Sequence, residues 1–183
     1  GQIKHAYCSY PGDNTYAINA YLEGKLALEL TPQGTLAERL RAGGAGIPAF
    51  YTPTAVGTDI HLGGFPIKYG SDGKSVEIAS KPRELRDFGG KPHIMEEAIR
   101  GDFALVKAWK ADTRGNLVFR GTARNFNPDC ARAADICIVE AEHIVEPGEL
   151  DPFFTALREF DEESGLMTTS AQRCALGAIG ESG

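Results

Sequence analysis

The residues with the most chemical promise lie between Glu29 and Thr58, in the string ELTPQGTLAERLRAGGAGIPAFYTPTAVGT. Here a strand end runs into a helix start and then into a glycine-rich turn. The first backbone amides of a helix have no acceptor inside it, and they attract anions and developing oxyanions. Gln33 sits at such a start and brings both a side-chain amide and a backbone amide able to donate. Gly43, Gly44 and Gly46 follow the helix and would let a ligand approach the backbone closely. The plain alternative is a helix stop followed by a turn, and on these residues alone it is the stronger reading.

Other candidates are weaker. Lys107, Trp109 and Lys110 could place a cation near a substrate carboxylate, but the alternation of Val106, Ala108 and Ala111 favours a strand with one wet face. Arg124, Asn125 and Asn127 precede a helix and could line a cleft; capping and turn chemistry explain Asn127 equally well. His93 with Glu96 and Glu97 lacks the H-E-x-x-H spacing of a metal-binding helix. No G-x-x-x-x-G-K-[ST] loop marks an NTPase. The acidic Glu140, Glu142 and Glu146 read as a solvated strand face. Cys8, Cys130, Cys137 and Cys174 form no C-x-x-C pair, which fits reduced, mostly buried thiols in a reducing compartment. A net charge of −6 without a Lys/Arg cluster argues against nucleic acid, and no apolar run is long enough to span a membrane.

The elements that must position these groups can be read from pattern. IKHAYCSY (3–10) predicts a strand ending at Pro11-Gly12, and Asp13 or Asn14 can cap a helix running to about Gly24. LALELTP (26–32) is a strand, 33–42 a helix with Thr31 as cap, and PAFYTPTA (48–55) a short strand or buried loop. Ser71-Asp72-Gly73-Lys74 reads as a hairpin turn, as does Thr113-Arg114-Gly115. HIMEEAI (93–99) fits helix or strand; NPDCARAAD (127–135) is helical and ICIVEAEHIV (136–145) a strand. This alternation predicts an α/β fold, an open sheet flanked by helices. Phe153, Phe154, Leu157 and Phe160 give 151–163 one amphipathic helical stretch, and 164–183 reads as a flexible end. Because the sequence begins inside a strand pattern, a fragment of a longer chain is expected.

The string at 29–58, with IASKPRELRDF (78–88), EEAIRGDFALVKAWKADTRGNLVFRGTARNFN (96–127) and IVEAEHIVEPGELDP (138–152), resembles the α-type, amino-terminal half of the succinyl-CoA:3-ketoacid CoA transferases. The likeness covers roughly residues 3–152. It implies a partial α-type domain over 1–152, incomplete at its amino-terminus, and a divergent tail over 153–183. It also implies ping-pong CoA transfer from succinyl-CoA to a 3-oxo acid such as acetoacetate, as in ketone-body metabolism. In that scheme a glutamate attacks the acyl-CoA and then carries CoA as a thioester. Gln33, in the TPQGT string, takes the oxyanion-hole position by this resemblance. The loop holding Gly43, Gly44, Ala45, Gly46, Phe50, Tyr51 and Thr52 becomes cleft wall and floor, with Lys107 and Asn125 as further cleft candidates.

The departures matter more. The family nucleophile lies in a Ser-Glu-Asn-Gly string of the other half, and this sequence has none; Glu163-Ser164-Gly165 and Glu181-Ser182-Gly183 share letters only. The chain alone is therefore expected to be inactive and to need a β-type half, in a homodimer or α2β2-type assembly. Coenzyme A enters as a substrate, with no permanently bound cofactor and no metal. A mitochondrial matrix setting is implied for a eukaryotic source, cytoplasm for a bacterial one. The alternatives are a truncated, non-catalytic association module and, less in keeping with the long strings, a sugar-phosphate isomerase on a related fold.

Overall fold

A computed structural model describes residues 1–150 and a strand at 173–177. The described chain divides into two compact units: residues 1–39 with 49–97, and 40–48 with 98 onward. The boundary expected near residue 152 falls at the edge of the described residues. The helix expected over 151–163 lies outside the described residues.

The first unit opens with β1 (His5–Cys8), α1 (Thr15–Leu22) and β2 (Ala27–Leu30). β1 and β2 pair in parallel, Ala6 opposite Leu28, so α1 is the crossover of a βαβ step. Of the two cap candidates it is Asn14 that caps, its side chain accepting from the Ala17 amide at 3.0 Å. α2 (Gln33–Gly44) follows β2 and runs on into the second unit. After β3 (Ala49–Thr52) and the single turn α3 (Asp59–Leu62), β4 (Pro66–Tyr69) and β5 (Val76–Ala79) form the expected hairpin. Asp72 shapes its turn by accepting from the amides of Lys74 and Ser75, both at 2.9 Å. β6 (Leu85–Phe88) and β7 (Lys91–Glu97) complete an antiparallel sheet in the order β3-β7-β6. The ambiguous 93–99 segment is strand because Ile94 and Glu96, two apart, are both buried.

The second unit contains the end of α2, β8 (Gly101–Asp112), β9 (Leu117–Val118), a 3₁₀ turn at Gly121–Arg124, α4 (Asn127–Ala133), β10 (Ala134–Val145) and β11 (Arg173–Gly177). Its sheet runs β11-β10-β8-β9, with β8, β10 and β11 parallel and β9 antiparallel to β8. β11 lies in the stretch whose composition reads as a flexible end. Ala104, Val106, Ala108, Cys137 and Val139 project to one face and pack with Leu117, Phe119, Cys130 and Ala131. The β8–β9 reversal hangs on Asp112, nearly wholly buried, whose Oδ1 accepts from the amides of Arg114 and Asn116.

Gly43 and Gly44 serve the packing of this unit. A Cβ on Gly43 would stand 1.9 Å from the Ile99 carbonyl oxygen, and one on Gly44 2.7 Å from the Arg132 Cβ. The space a side chain would need at these two glycines is filled by the protein itself. Gly43→Ala is expected to lose about 3 kcal/mol of stability in urea unfolding, since the obstructing atom is backbone. An unchanged midpoint would show that α2 shifts freely.

Candidate functional site

The first intrahelical bond of α2 runs from the Leu36 amide to the Pro32 carbonyl, 2.8 Å. Ahead of it stand the amides of Gln33, Gly34 and Thr35, for which a helix start offers no acceptor. Thr31, expected as a cap, is instead buried and accepts from Arg39 Nη1 at 3.4 Å. Gln33 and Gly34 are exposed, whereas Thr35 is buried.

A groove of about 320 Å³ runs along this helix start, lined by Gly34, Thr35 and Glu38 from α2 and by Phe50, Tyr51, Thr52 and Thr54. Sequence reasoning named Phe50, Tyr51 and Thr52 but missed Gly34, Thr35, Glu38 and Thr54. Gly34 and Thr35 follow Gln33 directly and could have been found from the helix start. Tyr51 is fixed at the rim. Its hydroxyl donates to Glu84 Oε1, its ring meets Phe88 edge-on at 5.1 Å, and Arg86 stacks at 5.5 Å. The hydrogen bond to Glu84 raises the Tyr51 pKa, so the phenol holds its proton. The groove thus offers amide donors at one wall and neutral side chains opposite, with Glu38 as its one carboxylate. Such a site suits a carbonyl that gains negative charge during reaction better than a free anion.

The other sequence candidates belong to the second unit. Ala45 and Gly46 stand in the turn after α2, Gly46 exposed and with φ of 72°. Lys107 is engaged by its own sheet. Its Nζ lies 3.0 Å from Glu140 and 3.9 Å from Glu142, and the bond to Glu140 raises its pKa. Lys110 and Arg120 both stack on Trp109, at 4.7 and 5.5 Å. Asn125 adopts a positive φ of 42°, and its side chain accepts from the Phe126 amide at 2.7 Å. Asn127 accepts from the Lys107 amide and donates to the Ala123 carbonyl. Asn125 thus shapes its own turn, and Asn127 ties the start of α4 to β8.

A charge cluster that no spacing in the sequence betrays lies within the first unit. Arg83 is 3.2 Å from Glu29 Oε1 and 3.0 Å from Glu96 Oε1, while Arg39 is 3.5 Å from Glu29 and donates to the Glu97 carbonyl at 2.8 Å. Arg83 Nε is not aligned for a hydrogen bond, and Glu96 Oε2 has no hydrogen-bond partner. Burial raises the Glu96 pKa, and the charges of Arg83 and Arg39 pull it back only in part. A carboxyl raised in the fold binds its proton more readily folded than unfolded. Its contribution is complete below the unfolded value and is lost as pH rises through the folded one. Wild type should therefore gain stability relative to Glu96→Gln as pH falls from about 7 toward the ordinary carboxylate range. Urea midpoints across that window measure it; a difference that does not vary with pH contradicts the assignment.

Comparison with known proteins adds an independent line. The family profile described as coenzyme A transferase matches residues 1–154. The mitochondrial succinyl-CoA:3-ketoacid coenzyme A transferase 2A of Rattus norvegicus is 56% identical over 151 residues, 82% of this chain and 29% of that protein. The A-type subunit of the succinyl-CoA:3-ketoacid coenzyme A transferase of Helicobacter pylori is 54% identical over 151 residues, 82% of this chain and 57% of that polypeptide. The chain thus spans less than a third of the mammalian relative and under two thirds of the bacterial one. Among solved structures, an acyl-CoA transferase of Escherichia coli, captured as a thioester complex with CoA, superposes with a TM-score of 0.66 at 23% identity, over 84% of this chain and 31% of that one. That likeness speaks for the fold alone.

Proposed function

Because the chain belongs to the coenzyme A transferase family, we propose that it is the A-type half of an enzyme moving CoA from succinyl-CoA to a 3-oxo acid such as acetoacetate. The observation that carries this is the open start of α2. Gln33 is exposed there, beside a groove walled by Phe50 to Thr52, so a thioester carbonyl can reach the donors.

The chemistry divides between two chains. A carboxylate of the partner half adds to the thioester carbonyl of succinyl-CoA and gives a tetrahedral oxyanion. The Gln33 carboxamide and the backbone amides of the α2 start donate to that oxygen, while the walls exclude water that would hydrolyse the intermediate. Collapse expels CoA thiolate and leaves a mixed anhydride. The thiolate then attacks the partner's glutamyl carbonyl, releasing succinate and forming the enzyme thioester. The acceptor acid repeats both steps in reverse and leaves as acyl-CoA. The H. pylori relative is named as one lettered subunit of its enzyme, which supports a separate β-type partner, and the mammalian relatives are named mitochondrial, which supports a matrix setting for a eukaryotic source.

Mixing this chain with a β-type partner and following CoA exchange between succinyl-CoA and acetoacetate tests the reading. Exchange is expected only from the pair. Turnover by this chain alone, or a stable pair without turnover, overturns it.

A further inference from the structure

Trp109, the single tryptophan of the chain, holds two cations. Lys110 Nζ lies 4.7 Å and the Arg120 guanidinium 5.5 Å from the centre of its ring, and His143 meets the ring edge-on at 6.4 Å. Among the described residues, neither Lys110 nor Arg120 has a carboxylate within ion-pair distance. The acids nearest in the sheet are engaged elsewhere. Glu140 and Glu142 lie against Lys107, and Asp112 accepts from the amides of Arg114 and Asn116. Two like charges on one ring repel each other, and the indole quadrupole answers them only in part. An anion between them would remove the conflict.

Topology brings these groups to one end of the sheet. Trp109 and Lys110 stand near the carboxyl end of β8, which closes at Asp112, and His143 near that of β10, which closes at Val145. The parallel register sets His143 beside Lys110. Val118 of β9 faces Lys110 from the other side, and Arg120 follows two residues later. Open α/β sheets bind ligands outside the carboxyl ends of their strands.

The charge of the cluster selects the ligand. A carboxylate brings one negative charge, whereas a phosphate monoester near pH 7 brings about 1.5–2 and several strong acceptor oxygens. Lysine supplies a point charge and arginine a planar fork, both suited to phosphate oxygens. The substrate of the proposed reaction carries such a monoester, the 3′-phosphate at the nucleotide end of CoA. We propose that Lys110 and Arg120, set on Trp109, bind that 3′-phosphate. The proposal rests on CoA as the substrate and not on the chemistry at Gln33.

Trp109 reports on its own surroundings, because no other tryptophan contributes to the emission. The 183-residue chain is titrated with CoA, dephospho-CoA, pantetheine and inorganic phosphate, and binding is read as a saturable change in tryptophan emission. CoA should bind tightest, dephospho-CoA about 10-fold more weakly, and pantetheine should leave the emission unchanged. Arg120→Met should weaken CoA binding about 10-fold and bring it level with dephospho-CoA, a convergence that a merely structural role would not produce. Lys74→Met, at an exposed position on the β4–β5 turn in the other unit, should leave all affinities as they are. No saturable response to CoA, equal affinity for CoA and dephospho-CoA, or an unchanged ratio between them in Arg120→Met overturns the proposal. Inorganic phosphate bound as tightly as CoA also overturns it, by assigning the cluster to a free anion. Arg120-dependent CoA binding by a chain that fails to exchange CoA with a β-type partner would leave this proposal standing and remove the catalytic one.

Discussion

Under the proposed reading, Gln33→Ala should lower kcat for CoA exchange in the pair with a β-type partner by about 10²–10³-fold, with a much smaller change in KM for succinyl-CoA. The split follows from where the donor acts. A carboxamide directed at an oxyanion gains strength only as the carbonyl becomes tetrahedral, so its loss raises the barrier more than it weakens ground-state binding. The loss is partial because the backbone amides of the α2 start remain. Gln33→Glu should be at least as severe, since it replaces a donor with a carboxylate where the oxyanion would form. A packing role can be separated from this one. Gln33 is exposed, so either substitution should leave the urea midpoint unchanged. Equal losses in stability and rate would place Gln33 among structural residues.

The second large effect concerns the fold. Arg83→Met should destabilise the chain by about 3–5 kcal/mol, because it removes the ion-pair partner of the buried Glu96, while Glu29 keeps Arg39. Glu96 is 1% exposed, and the Arg83 guanidinium approaches both carboxylates. Arg83→Met with Glu96→Leu should recover most of the loss, since an apolar pair of similar volume removes the uncompensated charge. Urea unfolding of the two single variants and the double variant gives the coupling energy directly. Additive losses would mean that Glu96 finds its counter-charge elsewhere.

Legibility differed from one part of the chain to another for physical reasons. Asn14 and Asp72 use local side-chain chemistry that short range decides, and both act as their sequence context indicates. β6 went unread although Gly89-Gly90, with φ of 60° and 77°, supplies a turn signal. Its strand carries Arg86 and Asp87 and is exposed throughout, so it lacks the alternation that a half-buried strand shows. HIMEEAI could not be settled because Glu96 reads as polar, and the charges that accompany its burial come from Arg83, thirteen positions earlier in the loop before β6, and from Arg39. The glycines after α2 look permissive in sequence, and the atoms of Ile99 and Arg132 that occupy the space beside Gly43 and Gly44 lie more than fifty residues away. Lys107 looked available because its Glu140 partner comes from a neighbouring parallel strand.

Whether the labour is divided between two chains is reached most directly by an intact-mass measurement. The pair of this chain and its β-type partner is incubated with succinyl-CoA, quenched, separated and weighed chain by chain. A mass increase matching a CoA thioester on the β-type partner, with this chain unmodified, is the expected result. The same adduct on this chain, or its formation when the partner is left out, would contradict the division.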